Sequence, residues 1–230
     1  MPPQPLRSVR RRATALVDHD ALLRHPQLAA RIASAIALWA RIDAELGAIL
    51  AFMLKGDVRP SIAMYAALTS SQAQMAALEA AARASLAADD RKLFGAVLVL
   101  VKRAGAKRNK IAHWLWGESP EIKDALILFD PDSVLDHHTR VKAFVDKLSD
   151  MALIDLMDFT TPAPQMDTSN AFVYRDREFV EIITEFLNTL HITARFSAML
   201  IDRQNGPITD SLRSQLLAMP QIQEELKRIP

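Results

Sequence analysis

The chain has 230 residues, of which half are hydrophobic and 24% are charged, a balance typical of globular proteins that excludes a disordered or fibrous chain. The six glycines among 230 residues amount to about 3%, less than half the usual share of about 7%. This low glycine content favours helices over a sheet rich in tight turns. Near-neutral charge (+1) excludes a field of the whole molecule that would attract nucleic acid or lipid, and the absence of cysteine excludes disulfides and thiolate chemistry.

Residues 1–25 are predicted to form a flexible basic leader. They begin with prolines, and four arginines follow: Arg7, Arg10, Arg11 and Arg12. A secretory signal would continue with about 7–15 apolar residues, but the apolar run here ends at Asp18. No stretch is long and apolar enough to span a bilayer, so a cytoplasmic protein is expected.

Residues 26–204 are predicted to form a single helical domain. Between Pro26 and Leu54 apolar residues recur every three or four positions, which predicts a long amphipathic helix. Two Ala-rich helices follow up to residue 88, with a break near Ser70. A further helix is expected to be capped by Asp89 and Asp90 and to run through Leu115, with an interruption or kink at Gly105.

A small β element is predicted inside this domain. The apolar run 125–129 ends in a turn and is long enough for one strand, and residues 171–174 are expected to pair with it. Residues 136–157 and 178–201 read as helices, and 158–171 as a loop. A short helix and a tail over 205–230 complete the chain. The predicted fold class is mainly α, a helical bundle with a minor two-stranded β element.

The segment from Lys102 to His113 carries the strongest local charge. Five bases and no acid lie within Lys102–Lys110. Bases near the end of a helix also complement its dipole, so a solvated helix end is the simpler interpretation.

Three side chains make a functional interpretation of this segment more specific. Asn109 and His113 are four residues apart and share a helix face, and the long side chain of Arg108 can reach the same face. RNA cleavage through the 2′-hydroxyl needs a group that exchanges protons near neutral pH and a cation for the phosphoryl oxygens. It requires no metal and no cofactor.

Asp43 lies within the apolar stripe of the first long helix. A carboxylate on a core face is costly unless it is paired or hydrogen-bonded, so Arg108 or His113 is the expected partner. The alternative is that Asp43 lies at the edge of the stripe and reaches water.

The pattern Arg108-x4-His113, with Asn109 after the arginine and the helix Trp39–Leu46 before it, resembles the motif of HEPN domains. These are helical bundles, commonly dimeric, and many are metal-independent ribonucleases. The resemblance implies that His113 transfers the proton, that Arg108 stabilises the phosphate and the transition state, and that Asn109 orients the 2′-hydroxyl. It implies that Asp43 orients Arg108 or His113.

The resemblance also implies a homodimer with a composite cleft, and an antitoxin or a nucleotidyltransferase as a partner protein, as in toxin–antitoxin systems. Candidate RNA or phosphate contacts are Lys102, Arg103, Lys107, Lys110 and Trp114. One position departs from the family, in which a small glycine often follows the histidine. Trp114 stands there, where it could stack on a base, block the cleft, or pack in a core or interface, and Trp116 raises the same question.

The rival prediction is a non-catalytic HEPN-like module that binds RNA, a nucleotide or a protein, with Arg108 and Asp43 as a structural pair. The third possibility is that the protein is a dimerisation scaffold.

Overall fold

The computed structural model describes residues 3–151, 161–205 and 211–229. Within these ranges the chain forms ten helices and five strands. It divides into two compact units, where the sequence predicted a single domain over 26–204. Residues 1–33 and 109–181 form the first, here called the sheet unit, and residues 34–108 and 182–230 form the second, the helical unit.

The helices are α1 (Leu6–Val9), α2 (Ala21–Arg24), α3 (Pro26–Leu54), α4 (Val58–Ala67), α5 (Ser71–Ser85), α6 (Ala88–His113), α7 (Pro131–Ser149), α8 (Asp176–Asn205), α9 (Ser211–Leu217) and α10 (Pro220–Leu226). The strands are β1 (Gln4–Pro5), β2 (Leu16–Val17), β3 (Leu115–Ser119), β4 (Ile122–Phe129) and β5 (Ala171–Tyr174). The prediction of a mainly α fold with a minor β element is confirmed. None of the helices in the described ranges combines the length and hydropathy needed to cross a membrane.

The sheet has five antiparallel strands in the order β1-β5-β4-β3-β2, rather than the two strands expected. The predicted pair is confirmed, because Leu126 is opposite Tyr174 and Phe129 is opposite Ala171. Residues 125–129 are all buried, and a strand covered on both faces reads as a continuous apolar run. That run made β4 visible in the sequence.

Strand β3 overturns the expectation that the preceding helix runs through Leu115. The helix ends at His113, and Gly117 lies opposite Val17 in the neighbouring strand. A Cβ at Gly117 would lie 2.0 Å from the carbonyl oxygen of Leu16 and 2.8 Å from the ring of Phe129. The glycine therefore permits a close approach of two strands.

Residues 3–25, which were predicted to belong to a flexible leader, contain two short strands and two short helices. Strand β1 pairs with β5 and strand β2 pairs with β3. Leu6 and Ala15 are buried in a core cluster with Ile127, Phe129 and Val173. The partly buried Val9, Ala13 and Val17 pack against the same cluster. These apolar side chains are few and stand among arginines and prolines, which explains why composition alone was misleading.

In the helical unit, local signals place the starts of α4 and α5. The side chain of Ser70 accepts a hydrogen bond from the backbone N–H of Ala73, which caps α5 at the predicted break. Asp57 caps α4 in the same way through the N–H of Arg59. Asp89 and Asp90, expected as a cap, lie within the first turn of α6 instead. There the carboxylate of Asp90, which is 4% exposed, accepts a hydrogen bond from Arg213 Nε at 3.2 Å.

Gly105 does not interrupt α6, which is continuous from Ala88 to His113. A Cβ at this position would lie 2.9 Å from Cη2 of Trp39. The glycine therefore makes room for the indole of α3.

The chain after residue 205 was expected to be a short helix and a tail. Its described part forms α9 and α10, in which Leu216 and Ile222 are completely buried. The predicted helix end and loop start at 157–158 lie outside the described residues.

Candidate functional site

The last turn of α6 presents Asn109 and His113. Both side chains are exposed, and their spacing of four residues places them on one face of the helix. The N–H of Trp114 donates the last hydrogen bond of the helix, to the carbonyl of Lys110 at 3.0 Å, and the chain then enters β3. An imidazole and an amide therefore stand together where a ligand can reach them.

Arg108 differs from these neighbours. Its side chain is half-buried and its Nε is fully buried. The boundary between the two units falls directly after it, so Arg108 belongs to the helical unit while Asn109 and His113 belong to the sheet unit. All three lie on the single helix α6.

The three bases that precede this motif are each bound to a carboxylate. Lys102 Nζ lies 2.8 Å from Glu79, Arg103 Nη2 lies 2.6 Å from Glu225, and Lys107 is paired with Glu185. These acids are 23, 122 and 78 residues away in the sequence. The local charge that marked this segment is therefore largely compensated in the folded chain.

The pair of Arg103 and Glu225 is the most buried of the three. The side chain of Glu225 is 3% exposed, and it also lies 3.4 Å from Nη1 of Arg228. A carboxylate at that depth requires a cation or hydrogen bonds to offset the loss of water. Arg103 therefore holds α10 to α6 and is a structural residue.

Among the residues that the structure describes, Lys110 has aromatic neighbours instead of a carboxylate. Its Nζ lies 4.7 Å from the ring centroid of Trp114 and 5.1 Å from that of Phe172. The two rings are 6.0 Å apart and tilted by 45°. This is the geometry of a cation–π contact. Phe172 comes from β5, and sequence reasoning missed it because only strand pairing brings it to Trp114.

Trp114 is half-buried, so part of its indole remains accessible. Trp116 packs instead against Tyr174 and Phe179, with ring centroids at 5.6 and 5.9 Å. Burial, together with the charge of Glu178, raises the pKa of Tyr174 to about 12. Of the two indoles, Trp116 packs against the buried rings of Tyr174 and Phe179, and Trp114 is the one beside the candidate site.

Asp43 is half-buried, and its carboxylate accepts a hydrogen bond from the hydroxyl of Tyr65 at 3.1 Å. Tyr65 lies on α4, and it takes the place of the arginine or histidine that sequence reasoning expected. Burial and the negative charge of Asp43 raise the pKa of the tyrosine hydroxyl. The pair is a neutral hydroxyl bound to a carboxylate, which satisfies the buried charge.

A second group of polar side chains, missed in the sequence, comprises Asp18, His19 and Asp20, whose potential ligand atoms lie within 4.8 Å of one another. Asp18 accepts hydrogen bonds from the N–H of Asp20 and from Arg24, which lower the pKa of its carboxyl. Arg24 also binds Glu118. The group is an exposed ion-pair network that orders the entry to α2.

The structure therefore gathers Asn109 and His113 on one exposed turn and Lys110, Trp114 and Phe172 in one cluster. It assigns Lys102, Arg103, Lys107 and Asp43 to other partners. No family model, curated protein or solved structure matches this chain.

Proposed function

We propose that this protein is a metal-independent endoribonuclease of the HEPN type. The observation that carries the proposal is the exposure of His113 and Asn109 on one face of the last turn of α6, in the pattern Arg108-x4-His113. A proton-transfer group, an amide and a cation on one helix are the groups that RNA cleavage through the 2′-hydroxyl uses.

In the proposed reaction the 2′-oxygen attacks the adjacent phosphorus and the bond from phosphorus to the 5′-oxygen breaks. The products are a cyclic 2′,3′-phosphate and a 5′-hydroxyl. His113 accepts the proton of the 2′-hydroxyl or returns one to the leaving oxygen. Arg108 stabilises the charge on the phosphoryl oxygens, and Asn109 orients the 2′-hydroxyl. We assign Asp43 no role in this chemistry, because its Oδ1 accepts a hydrogen bond from the hydroxyl of Tyr65.

The working form is proposed to be a homodimer in which two copies of the motif face one composite cleft, so that one His113 acts as base and the other as acid. RNA enters the cleft along Lys110 and Trp114. Light scattering at micromolar concentration tests this arrangement, and a monomer that cleaves RNA would contradict it.

The test of the site uses the full chain with mixed single-stranded RNA in excess chelator. We expect cleavage with the wild type and a loss of about 10²–10⁴-fold in His113→Ala, which is typical when a proton-transfer group is removed. Because His113 is exposed, the melting temperature of the His113→Ala variant should stay close to that of the wild type. His191→Ala, which removes an exposed histidine from α8, is the matched control and should keep full activity. Cleavage that persists in His113→Ala, or that chelator abolishes, contradicts the proposal.

A second candidate function is a non-catalytic HEPN-like module that binds RNA, a nucleotide or a partner protein such as an antitoxin or a nucleotidyltransferase. Two observations favour it: Lys102, Arg103 and Lys107 are bound to carboxylates, and Nε of Arg108 is buried. The two functions differ in Arg108→Ala. The enzyme requires lost cleavage with little change in the melting temperature, whereas the module requires a clear drop in that temperature.

A further inference from the structure

A groove with a volume of about 440 Å³ lies in the helical unit, along the consecutive helices α5 and α6. Its apolar lining includes the buried residues Ala82, Phe94 and Leu98, together with the half-buried Val99. Gly95 has no side chain to fill the groove, and Ile229 forms part of its wall. This volume is in the range of small-molecule sites, which are typically about 300–1,000 Å³.

The charges of the groove are distributed unequally along its length. Arg83 stands three residues before the connection at 86–87, and Arg91 stands four residues after it, so both arginines lie at the connected end of the two helices and line the groove there. Both side chains are exposed, and in the part of the chain that the structure describes neither forms an ion pair. Farther along α6, Lys102 is neutralised by Glu79 at 2.8 Å.

The groove therefore has one cationic end and an apolar floor that leads away from it. A guanidinium pair matches the two oxygens of a carboxylate. An apolar floor next to it matches an aliphatic chain that leaves water. We propose that this groove binds a medium-chain aliphatic carboxylate, with its head group between Arg83 and Arg91 and its chain along Gly95, Leu98 and Val99.

Helix geometry sets the length of the ligand. From Arg91 to Val99 the axis of α6 advances about 12 Å, at about 1.5 Å per residue. With carbon–carbon bonds of about 1.5 Å, an extended chain advances about 1.3 Å per carbon, so roughly nine or ten carbons span this distance. Decanoate is the matching probe. The site does not depend on the proposed RNA cleavage, because it uses neither Asn109 nor His113.

Gly95 offers a direct way to close the groove. A Cβ at this position lies at ordinary contact distance, 3.6 Å, from Cδ1 of Ile229, so the start of a side chain fits there. Leucine favours a helix more than glycine does, so Gly95→Leu fills the groove while the helix stays intact. Arg83→Ala/Arg91→Ala removes the cationic end through two exposed side chains.

The experiment is isothermal titration calorimetry of the full chain with decanoate below its micelle-forming concentration. We expect saturable binding of one molecule per chain. Gly95→Leu should abolish binding, and the double arginine variant should weaken it at least tenfold. Decanol, which lacks the carboxylate, should also bind at least tenfold more weakly. Lys92→Ala, a neighbouring exposed base that does not line the groove, is the control and should bind like the wild type.

Three results would overturn the assignment. Binding that persists in Gly95→Leu would place the ligand elsewhere. Equal affinity for inorganic phosphate would show a simple anion site without a chain-binding floor. Equal affinity for decanol would show that the two arginines do not recognise the head group. Thermal melting of each variant confirms that it is folded, and the double arginine variant keeps the test decisive if Gly95→Leu does not fold.

Discussion

The basic segment of α6 has two parts that differ in their surroundings. In the first part, Lys102, Arg103 and Lys107 each contact a carboxylate from a distant position in the sequence. In the second part, Asn109 and His113 are exposed, and Lys110 lies over two aromatic rings. The difference shows that a dense run of charge in a sequence is not the same as charge available to a ligand. The first part contributes to the stability of the fold, and the second part is where RNA chemistry is proposed.

Among the substitutions that test this difference, Arg103→Ala should cause the largest loss of folding stability. It leaves the carboxylate of Glu225, which is 3% exposed, without its main cation. Removing one partner of a fully buried pair costs about 3–5 kcal/mol. Because Arg103 itself is half-exposed and Arg228 also reaches Glu225, we expect a loss of about 2 kcal/mol. Urea unfolding measures it, and a loss below about 0.5 kcal/mol, the size typical of surface substitutions, would contradict the structural role.

Trp114→Ala tests the second part of the segment. If an RNA base stacks on the accessible indole, the affinity for single-stranded RNA should fall about tenfold, since base stacking contributes about 1–3 kcal/mol per base. Fluorescence anisotropy with a labelled oligonucleotide measures this, on a His113→Ala background that prevents cleavage. Trp114→Phe keeps a stacking surface and should keep most of the affinity. Equal losses in both variants would show that Trp114 acts through packing alone.

Lys102→Met should have a small effect. Lys102 and Glu79 are 53% and 41% exposed, and pairs this exposed contribute about 0.2–1 kcal/mol. We expect a loss of at most about 0.5 kcal/mol in urea unfolding, and an unchanged affinity for RNA. A drop in RNA affinity as large as that of Trp114→Ala would show that Lys102 leaves Glu79 to bind phosphate.

Glu121→Gln should have the smallest effect of the four substitutions, a modest loss of stability at neutral pH that disappears in acid. Hydrogen bonds from the hydroxyls of Thr14 and Ser119 lower the pKa of Glu121 to about 2, from an ordinary value of 4.5. The stabilisation is therefore present above pH 4.5 and is lost as the pH falls towards 2. Unfolding of the wild type across this window should show a loss of stability that Glu121→Gln shows less. Parallel pH profiles would contradict the assignment.

Much of the helical architecture could be predicted from residue patterns. The apolar period of α3 and the cap at Ser70 are local properties. The strand pair β4–β5 was also predictable, because its first strand is buried on both faces. The short strands β1 and β2 were not, since two residues carry no period, and their place depends on partners 100 or more residues away.

The candidate site likewise has one feature that the sequence predicts and another that it does not. The spacing of Asn109 and His113 on one helix follows from the sequence and from helix geometry. The partner of Asp43 was assigned to Arg108 or His113, and the structure places Tyr65 there. No local rule distinguishes these donors, because any of them satisfies a half-buried carboxylate.

The sequence by itself determined which residues can carry chemistry: a helix with an arginine, an amide and an imidazole in register, and no thiol. Only the tertiary structure decided which charges remain available, which aromatic ring stands beside Lys110, and that Gly105 and Gly117 serve close packing. The physical reason is the separation along the sequence between the groups that interact. Helix register follows from bonds between near neighbours, whereas ion pairs, ring contacts and steric clearance depend on groups that only folding brings together.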